Sequence, residues 1–304
     1  MKRIGIIVTG VALALVASAC AGARSGSLGP VDGGPPTPAP TEQPTGPGPT
    51  TPSPGGTPGG TPSPGRTVTF ELWFVYGDRL FVTRRTEPFD PGVARQAITA
   101  LLEGPSEAER AAGVTTAMPA GTRLLDVSLS DAGVLTVDLS GEFAAPGGSL
   151  AERLRLAQVV HTATQFRTVK GVAFRVDGRP VEAFGSHGIV LDRPQTREDY
   201  LDVFPQILVE TPLVGQTVPN PVTVSGVANV FEATVSLRVL DARGREVART
   251  FTTATCGTGC WGDYSVAVDY RVDSEQPGVI EVFESSAEDG SPLHMVRIPV
   301  TLTP

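Results

Sequence analysis

The stretch LLDVSLSDAGVLTVDL at residues 124–139 decides the first part of the fold. Apolar and polar side chains alternate through much of its two halves, 124–129 and 134–139, and alternation of this kind is typical of β-strands. The four residues between the halves, SDAG, are of the types that favour a turn. The stretch therefore predicts a β-hairpin.

Segments of regular period lie on both sides of this hairpin. Gly77-Asp78 separates two alternating runs, and Gly104-Pro105 ends a run with helical spacing. The strands are predicted at 68–76, 79–86, 172–176 and 179–183, and the helices at 91–102 and from just after Ser149 to about 166. This order of elements predicts an α+β domain over residues 67–184, with a mixed sheet and two helices.

The second predicted helix begins with an N-terminal signal. Ser149 is a residue type that caps helices, and Glu152 stands three positions later, where a carboxylate can return a hydrogen bond to the cap. The pair therefore predicts a capping box at the start of this helix.

The helical period vanishes after about residue 207. Short alternating runs recur instead, separated by turn residues such as DARG at 241–244. They lie at 222–224, 233–240, 246–252, 264–270, 279–284 and 295–302. This spacing predicts an all-β sandwich over residues 207–304, joined to the first domain by a connection at 185–206.

The N-terminus has the three parts of a secretory signal. Lys2 and Arg3 are positive, residues 4–16 are apolar, and small residues follow at 17–19. The apolar run is shorter than the roughly 20 residues that cross a membrane. We therefore predict a signal peptide at residues 1–19.

Cys20 directly follows this signal, and the segment ASAC at 17–20 resembles the lipobox of bacterial lipoproteins. In those proteins the thiol receives a diacylglycerol, acyl chains such as palmitate are added, and the cysteine becomes the new N-terminus. The resemblance implies a lipoprotein anchored through Cys20 to the outer face of the cytoplasmic membrane, because two or more acyl chains hold a protein stably. The alternative is an ordinary secretory signal with an incidental cysteine.

The segment 20–66 has a different composition from the rest of the chain. It holds Gly, Pro, Thr and Ser with almost no large apolar side chains. Such a segment cannot bury enough apolar surface to offset the entropy of ordering it. It is predicted to be a disordered tether that lifts the folded domains away from the membrane.

Cys256 and Cys260 are the two cysteines that remain besides Cys20. Paired cysteines persist as disulfides in exported proteins, so we predict a disulfide between them. The alternatives are half of a metal site or a redox pair, which is more often C-x-x-C. Trp261 and Tyr264 follow this loop and are candidates for a recognition surface, with core packing as the other interpretation.

Catalytic signals are weak in this sequence. His161, His187 and His294 have no metal-ligand spacing, and no Ser or Cys stands in a nucleophile motif. Several carboxylates surround the hairpin, at Asp126, Asp131, Asp138 and Glu142, and they are either a glycosidase-like pair or a solvated charged face. We expect no catalytic residues, no metal and no cofactor.

Both domains resemble modules of one known protein group. The first domain resembles the GerMN domain of the sporulation and spore germination family, through 100–143, 154–166 and VAFRVDGRPV at 172–181. The second resembles the immunoglobulin-like domain of bacterial spore germination, through 221–244, CWGDYSV at 260–266 and 279–292. The resemblance implies an immunoglobulin-like sandwich and a domain type that is not known as an enzyme.

The net charge of −8 argues against a nucleic-acid partner, since phosphate binding needs clustered Lys and Arg. The predicted function is therefore a non-catalytic, membrane-anchored envelope protein that binds or scaffolds an envelope protein or a wall polymer. Two alternatives stay open: a regulator of a membrane sensor kinase, by family analogy, and a wall-active hydrolase that uses a carboxylate pair. The oligomeric state is left open.

Replacing the predicted lipid site tests the anchor directly. Cys20→Ala removes the thiol that would carry the lipid, so the protein should move from the membrane fraction to the soluble extracytoplasmic fraction. Fractionation of cells followed by immunoblotting measures this. Retention of Cys20→Ala in the membrane would show that another part of the chain is the anchor.

Overall fold

In the computed structural model, which describes residues 65–304, the quoted hairpin forms from Leu124–Leu129 and Val134–Leu139. The two strands pair antiparallel, with a bulge between Leu124 and Asp126. The predicted signal peptide, Cys20 and nearly all of the tether lie outside the described residues.

Within the described residues, the first domain contains three α-helices and nine strands. The helices are α1 (Val93–Glu103), α2 (Glu107–Ala111) and α3 (Ser149–Ala163). The strands are β1 (Thr67–Tyr76), β2 (Arg79–Pro88), β3 (Val114–Thr115), β4 (Leu124–Leu129), β5 (Val134–Leu139), β6 (Gly171–Val176), β7 (Arg179–Pro180), β8 (Ala183–Phe184) and β9 (Ile189–Val190). This is the α+β class that the sequence predicts.

The strands of the first domain form three sheets rather than one. One has the order β2-β1-β3, the second β4-β5-β6-β7, and the third is the pair β8-β9. Only the second is mixed, because β5 and β6 are parallel while its other pairs are antiparallel. A parallel pair needs a crossover, and α3 provides it between β5 and β6.

Two helices were predicted in this domain, and the additional helix α2 was not. Ser106 and Glu109 form a capping box there: Ser106 Oγ accepts from the Glu109 backbone N–H (3.3 Å), and Glu109 Oε2 accepts from the Ser106 N–H (2.7 Å). The buried Glu109 carboxylate also accepts hydrogen bonds from Arg85 and Thr83. Burial alone would raise the pKa of Glu109, but these donors outweigh it and lower the pKa to about 2.

The predicted capping box of α3 is wrong. Gly148 is the N-cap, Ser149 is the first helical residue, and no side chain caps the helix. Glu152 instead turns toward the loop that follows β8, where it accepts a hydrogen bond from the Ser186 backbone N–H (2.9 Å). The Glu152 carboxylate therefore accepts hydrogen bonds from a segment distant in the sequence instead of capping the helix.

The second domain is an immunoglobulin-like sandwich of two sheets. Its strands are β10 (Ile207–Thr211), β11 (Thr217–Val218), β12 (Val222–Ala228), β13 (Thr234–Leu240), β14 (Glu246–Thr253), β15 (Gly262–Val268), β16 (Gln276–Ser285) and β17 (Pro292–Leu302). One sheet has the order β10-β12-β15 and the other β11-β17-β16-β13-β14. Fully buried side chains such as Val224, Leu237 and Ile280 lie in the core between them.

Strands β10 and β12 approach each other closely at Gly226. A Cβ at this position would stand 1.9 Å from the Leu208 carbonyl oxygen. Tyr264 pairs with Gly226 across the sheet, and its hydroxyl donates to the same oxygen at 3.1 Å. Glycine therefore leaves the space in which Tyr264 fastens β10 to the sandwich.

A methyl group at Gly226 should destabilise the protein. Gly226→Ala forces β10 and β12 apart, and we expect a loss of about 3 kcal/mol in the free energy of unfolding, as for overpacked cores. Gly148→Ala is the control, since nothing lies within 4 Å of its added Cβ; it should cost less than about 1 kcal/mol. Equal denaturant midpoints for the two variants would contradict the close approach.

Candidate functional site

The connection between the two domains, residues 185–206, is hydrogen-bonded to each of them. From the first domain, the Leu80 backbone N–H donates to the Val203 carbonyl oxygen at 2.9 Å. From the second domain, Trp261 Nε1 donates to the Pro205 carbonyl oxygen at 2.9 Å. The connection is therefore hydrogen-bonded to both domains, and residues 65–304 lie within one compact unit.

The two predicted recognition residues take different positions at this junction. Tyr264 is only 3% exposed, and its hydroxyl is bonded to Leu208, so the structure corrects its assignment to a surface. Trp261 is half-buried, and its ring meets Phe204 edge-on with centroids 5.5 Å apart. Of the pair, only Trp261 has exposed surface that a partner could contact.

Cys256 and Cys260 lie just before Trp261. Their Sγ atoms face each other, and their Cα atoms are 5.9 Å apart, which is a separation that disulfides span. The Gly262 backbone lies against Cys256, since a Cβ there would stand 2.1 Å from the Cys256 nitrogen. The geometry is compatible with the predicted disulfide, and the bond itself stays a prediction.

A cluster of rings extends from the core of the first domain to this loop. His161 of α3 packs against Trp73 of β1 (4.8 Å between ring centroids) and stacks on Phe204 (5.5 Å). Phe204 in turn contacts Trp261 of the second domain. The ring cluster thus links both domains through the connection.

His161 is the unusual member of the cluster. It is 1% exposed, and neither of its ring nitrogens has a hydrogen-bond partner among the described residues. Burial, aided by the positive charge of Arg197, lowers the pKa of His161 to about 3. The imidazole is therefore neutral at physiological pH and acts as a packed ring.

A cluster of hydrogen-bonded polar groups, which was not predicted from the sequence, surrounds Glu152. This fully buried carboxylate accepts from the backbone N–H and hydroxyl of Ser186 and from His187 Nδ1 (2.9 Å). The Ser186 N–H and His187 lower its pKa to about 2, against the effect of burial. No local pattern could reveal this centre, because its partners lie 34 and 35 residues away in the sequence.

Glu152, Ser186 and His187 do not have the geometry of a catalytic triad. In a triad the two ring nitrogens face the nucleophile and the carboxylate separately. Here Ser186 Oγ (3.2 Å) and Glu152 Oε2 both contact Nδ1 of His187. The arrangement holds the loop against α3 and does not activate the serine.

The carboxylates around the hairpin lie on its solvent side. Asp126 and Asp138 are cross-strand neighbours, but Asp126 is bonded to Arg95 (2.7 Å) and Asp138 accepts from the Gly178 N–H (3.0 Å). The hydrogen bond from Arg95 lowers the pKa of Asp126. A glycosidase acid needs a raised pKa, so Asp126 is unsuited to that role.

The other two carboxylates of this group are exposed. Asp131 lies in the turn of the hairpin, and Glu142 lies in the short helical segment after β5. The pKa of Glu142 is lowered, chiefly by the Ser140 side chain. Neither residue has the buried, apolar surroundings that raise the pKa of a catalytic acid.

Neither a metal-binding group nor a helix able to cross a membrane is found in the part of the chain that the structure describes. No group of three or more His, Cys, Asp or Glu side chains in residues 65–304 is arranged to hold a metal ion. Nor does any helix in this range combine the length and the apolar composition that a membrane crossing requires.

The architecture defines a class of two-domain proteins in which an α+β module precedes an immunoglobulin-like sandwich. Residues 72–182 match the family described as sporulation and spore germination, and residues 206–291 match the immunoglobulin-like domain of bacterial spore germination. The chain therefore carries a GerMN-type domain followed by the immunoglobulin-like domain of spore germination proteins. The resemblance of both domains predicted from the sequence is confirmed.

Solved structures from Bacillus subtilis are similar to this chain. The first GerMN domain of the sporulation protein GerM is 24% identical, with 43% of this chain and 99% of that chain covered and a TM-score of 0.37. The tandem GerMN domains of GerM are 16% identical, with 78% and 61% covered and a TM-score of 0.39. No curated protein matches the chain.

The buried imidazole generates a prediction about pH. The unfolded chain binds a proton at His161 below about pH 6.5, whereas the folded protein does so only near pH 3. Between these values stability should fall by about 1.4 kcal/mol per unit decrease in pH from this residue alone. His161→Phe should remove that contribution, as measured by urea unfolding at pH 7, 6 and 5.

The half-exposed His294 offers the control for this experiment. His294→Gln should retain the steep loss of stability between pH 6.5 and 5, because the buried ring is unchanged. If His161→Phe and wild type lose stability in parallel, the pH dependence arises from other groups.

Proposed function

We propose that this chain is a non-catalytic, membrane-anchored envelope protein that binds or scaffolds other envelope components. The observation that carries the proposal is the bound connection between the domains. Trp261 holds Pro205 from one side and Leu80 holds Val203 from the other, so the two domains present their surfaces in a defined relation. A defined relation between two modules suits a scaffold, because preorganised surfaces lose less entropy on binding.

The chemistry of the described residues supports a binding role. The most connected polar groups, Glu109 and Glu152, both have their pKa lowered to about 2 by donors that hold neighbouring segments in place. They are ionised and fully engaged in structural contacts. GerMN-type domains are not known as enzymes, and two of the carboxylates near the hairpin, Asp126 and Glu142, have lowered rather than raised pKa values.

The anchor in this proposal is the lipid on Cys20, and the tether at 20–66 places the folded domains outside the membrane. The support for the lipid anchor is the sequence alone, which has a positive start, an apolar run, small residues and then Cys20. The partner is an envelope protein or a wall polymer.

Crosslinking in living cells followed by pull-down tests the proposal. Wild type should recover a specific envelope partner. Trp261→Ala should fold but capture about tenfold less, because the junction loses the Pro205 hydrogen bond and the Phe204 contact. Phe251→Ala is the control, since this 68% exposed ring lies on β14 and takes no part in the hydrogen bonds that hold the connection.

Three outcomes are informative here. Capture lost in Trp261→Ala and kept in Phe251→Ala supports the scaffold. Absence of any specific partner for wild type contradicts it. Turnover of wall polymer by the purified chain would contradict the non-catalytic role and favour the hydrolase.

A further inference from the structure

A polar groove of about 490 Å³ lies in the first domain beside the connection. Its walls come from β1, β2, the end of α3 and the segment after β9. Its lining includes the polar side chains of Glu71, Arg84, Thr164, Gln165 and Arg197. This volume lies within the range of small-ligand sites, which is roughly 300–1,000 Å³.

Arg197 is the central residue of the groove. Its Nε donates to Thr164 Oγ1 and its Nη2 donates to the His161 carbonyl oxygen, both at 3.0 Å. The guanidinium also lies over the Trp73 ring, 5.4 Å from its centroid. These contacts fix its plane and direction.

The groups that hold Arg197 by hydrogen bonds carry no charge. Its acceptors are the Thr164 hydroxyl and the His161 carbonyl oxygen, and the negative charges of Glu71 and Glu210 act on the guanidinium from a distance. Burial lowers its pKa, which reflects the cost of removing this cation from water. A half-buried guanidinium of this kind can form charge-assisted hydrogen bonds with an anionic group that enters the groove.

Glu71 contributes a negative charge to the lining of the groove. Its carboxylate lies 3.7 Å from Arg84, and both side chains remain about one-third exposed. Gln165 fixes the Glu71 backbone by two hydrogen bonds, at 2.7 and 2.8 Å. Arg84 is itself bound to the Glu210 carbonyl oxygen at 2.9 Å. The lining thus holds two cations and one anion in fixed places.

We propose that this groove binds the end of a short peptide or an amino acid, with Arg197 on its carboxylate and Glu71 on its ammonium or amide N–H groups. A planar carboxylate fits the guanidinium fork. A phosphate fits less well, because its second negative charge would be repelled by Glu71. The inference rests on the proposed binding function and names one site and ligand class for it.

Edited ligands test the inference without changing the protein. The probes are the dipeptide Ala-Ala, its C-terminal amide and its N-acetyl form, titrated by calorimetry into the full-length chain in detergent. Ala-Ala should bind about tenfold more tightly than its amide, as expected for one charge-assisted hydrogen bond. It should also bind more tightly than the N-acetyl form.

Variants then assign each preference to a residue. Arg197→Gln should bind the acid and the amide equally, and Glu71→Gln should bind the free and N-acetyl forms equally. Arg193→Gln is the matched control, because it removes an exposed arginine from the same segment, outside the groove, and should leave both preferences unchanged. Circular dichroism checks folding, and Arg197→Lys, which keeps the charge but not the fork, should give an intermediate preference.

Other results would overturn the inference. Equal binding of acid and amide to wild type, no binding of any dipeptide, or an unchanged preference in Arg197→Gln or Arg197→Lys would each do so. Inorganic phosphate that displaces Ala-Ala and binds more tightly would assign the groove to phosphate groups instead. If the dipeptide does not bind while wild type still captures its envelope partner in cells, the groove inference fails and the proposed function stands.

Discussion

The first domain depends on one constraint: helix α3 is buried on every side from Leu154 to Ala163, including its polar residues. Those polar side chains must find partners inside the core, because a buried polar group without one is costly. Gln158 donates to the Trp73 carbonyl oxygen and accepts from the Ala117 N–H. The helix thereby acts as a hydrogen-bonding partner for β1 and for the segment after β3.

Arg155, nearer the N-terminal end of α3, is another buried polar residue whose side chain bonds to the backbone of neighbouring segments. Its guanidinium donates to the carbonyl oxygens of Phe143, Ala145 and Ala117. Because α3 also connects the parallel strands β5 and β6, these bonds position both sheets relative to the helix. His161 is the exception on this helix, since its ring nitrogens have no hydrogen-bond partner among the described residues. Its ring stacks on Phe204, which in turn contacts Trp261 of the second domain.

Much of the fold could be predicted from local periodicity. The strands at 124–129 and 134–139 form at the predicted residues, and the helix predicted to follow Ser149 forms but begins at Ser149 itself. Helix α2 was missed although its capping-box pair, Ser106 and Glu109, is visible in the sequence, because five residues are too few for a clear helical period. Strand β10 was missed because the run ILVET does not alternate.

The sequence by itself determined the two domains, their classes and their family resemblance, because these depend on periodicity, turn residues and motifs that are local in the chain. Only the tertiary structure decided what Glu152, Arg197 and Tyr264 contact. Each meets groups more than thirty residues away, in the loop after β8, in α3 and in β10. Such contacts follow from how the elements pack, since the energies of hydrogen bonding and burial act between neighbours in space, whatever their separation along the chain.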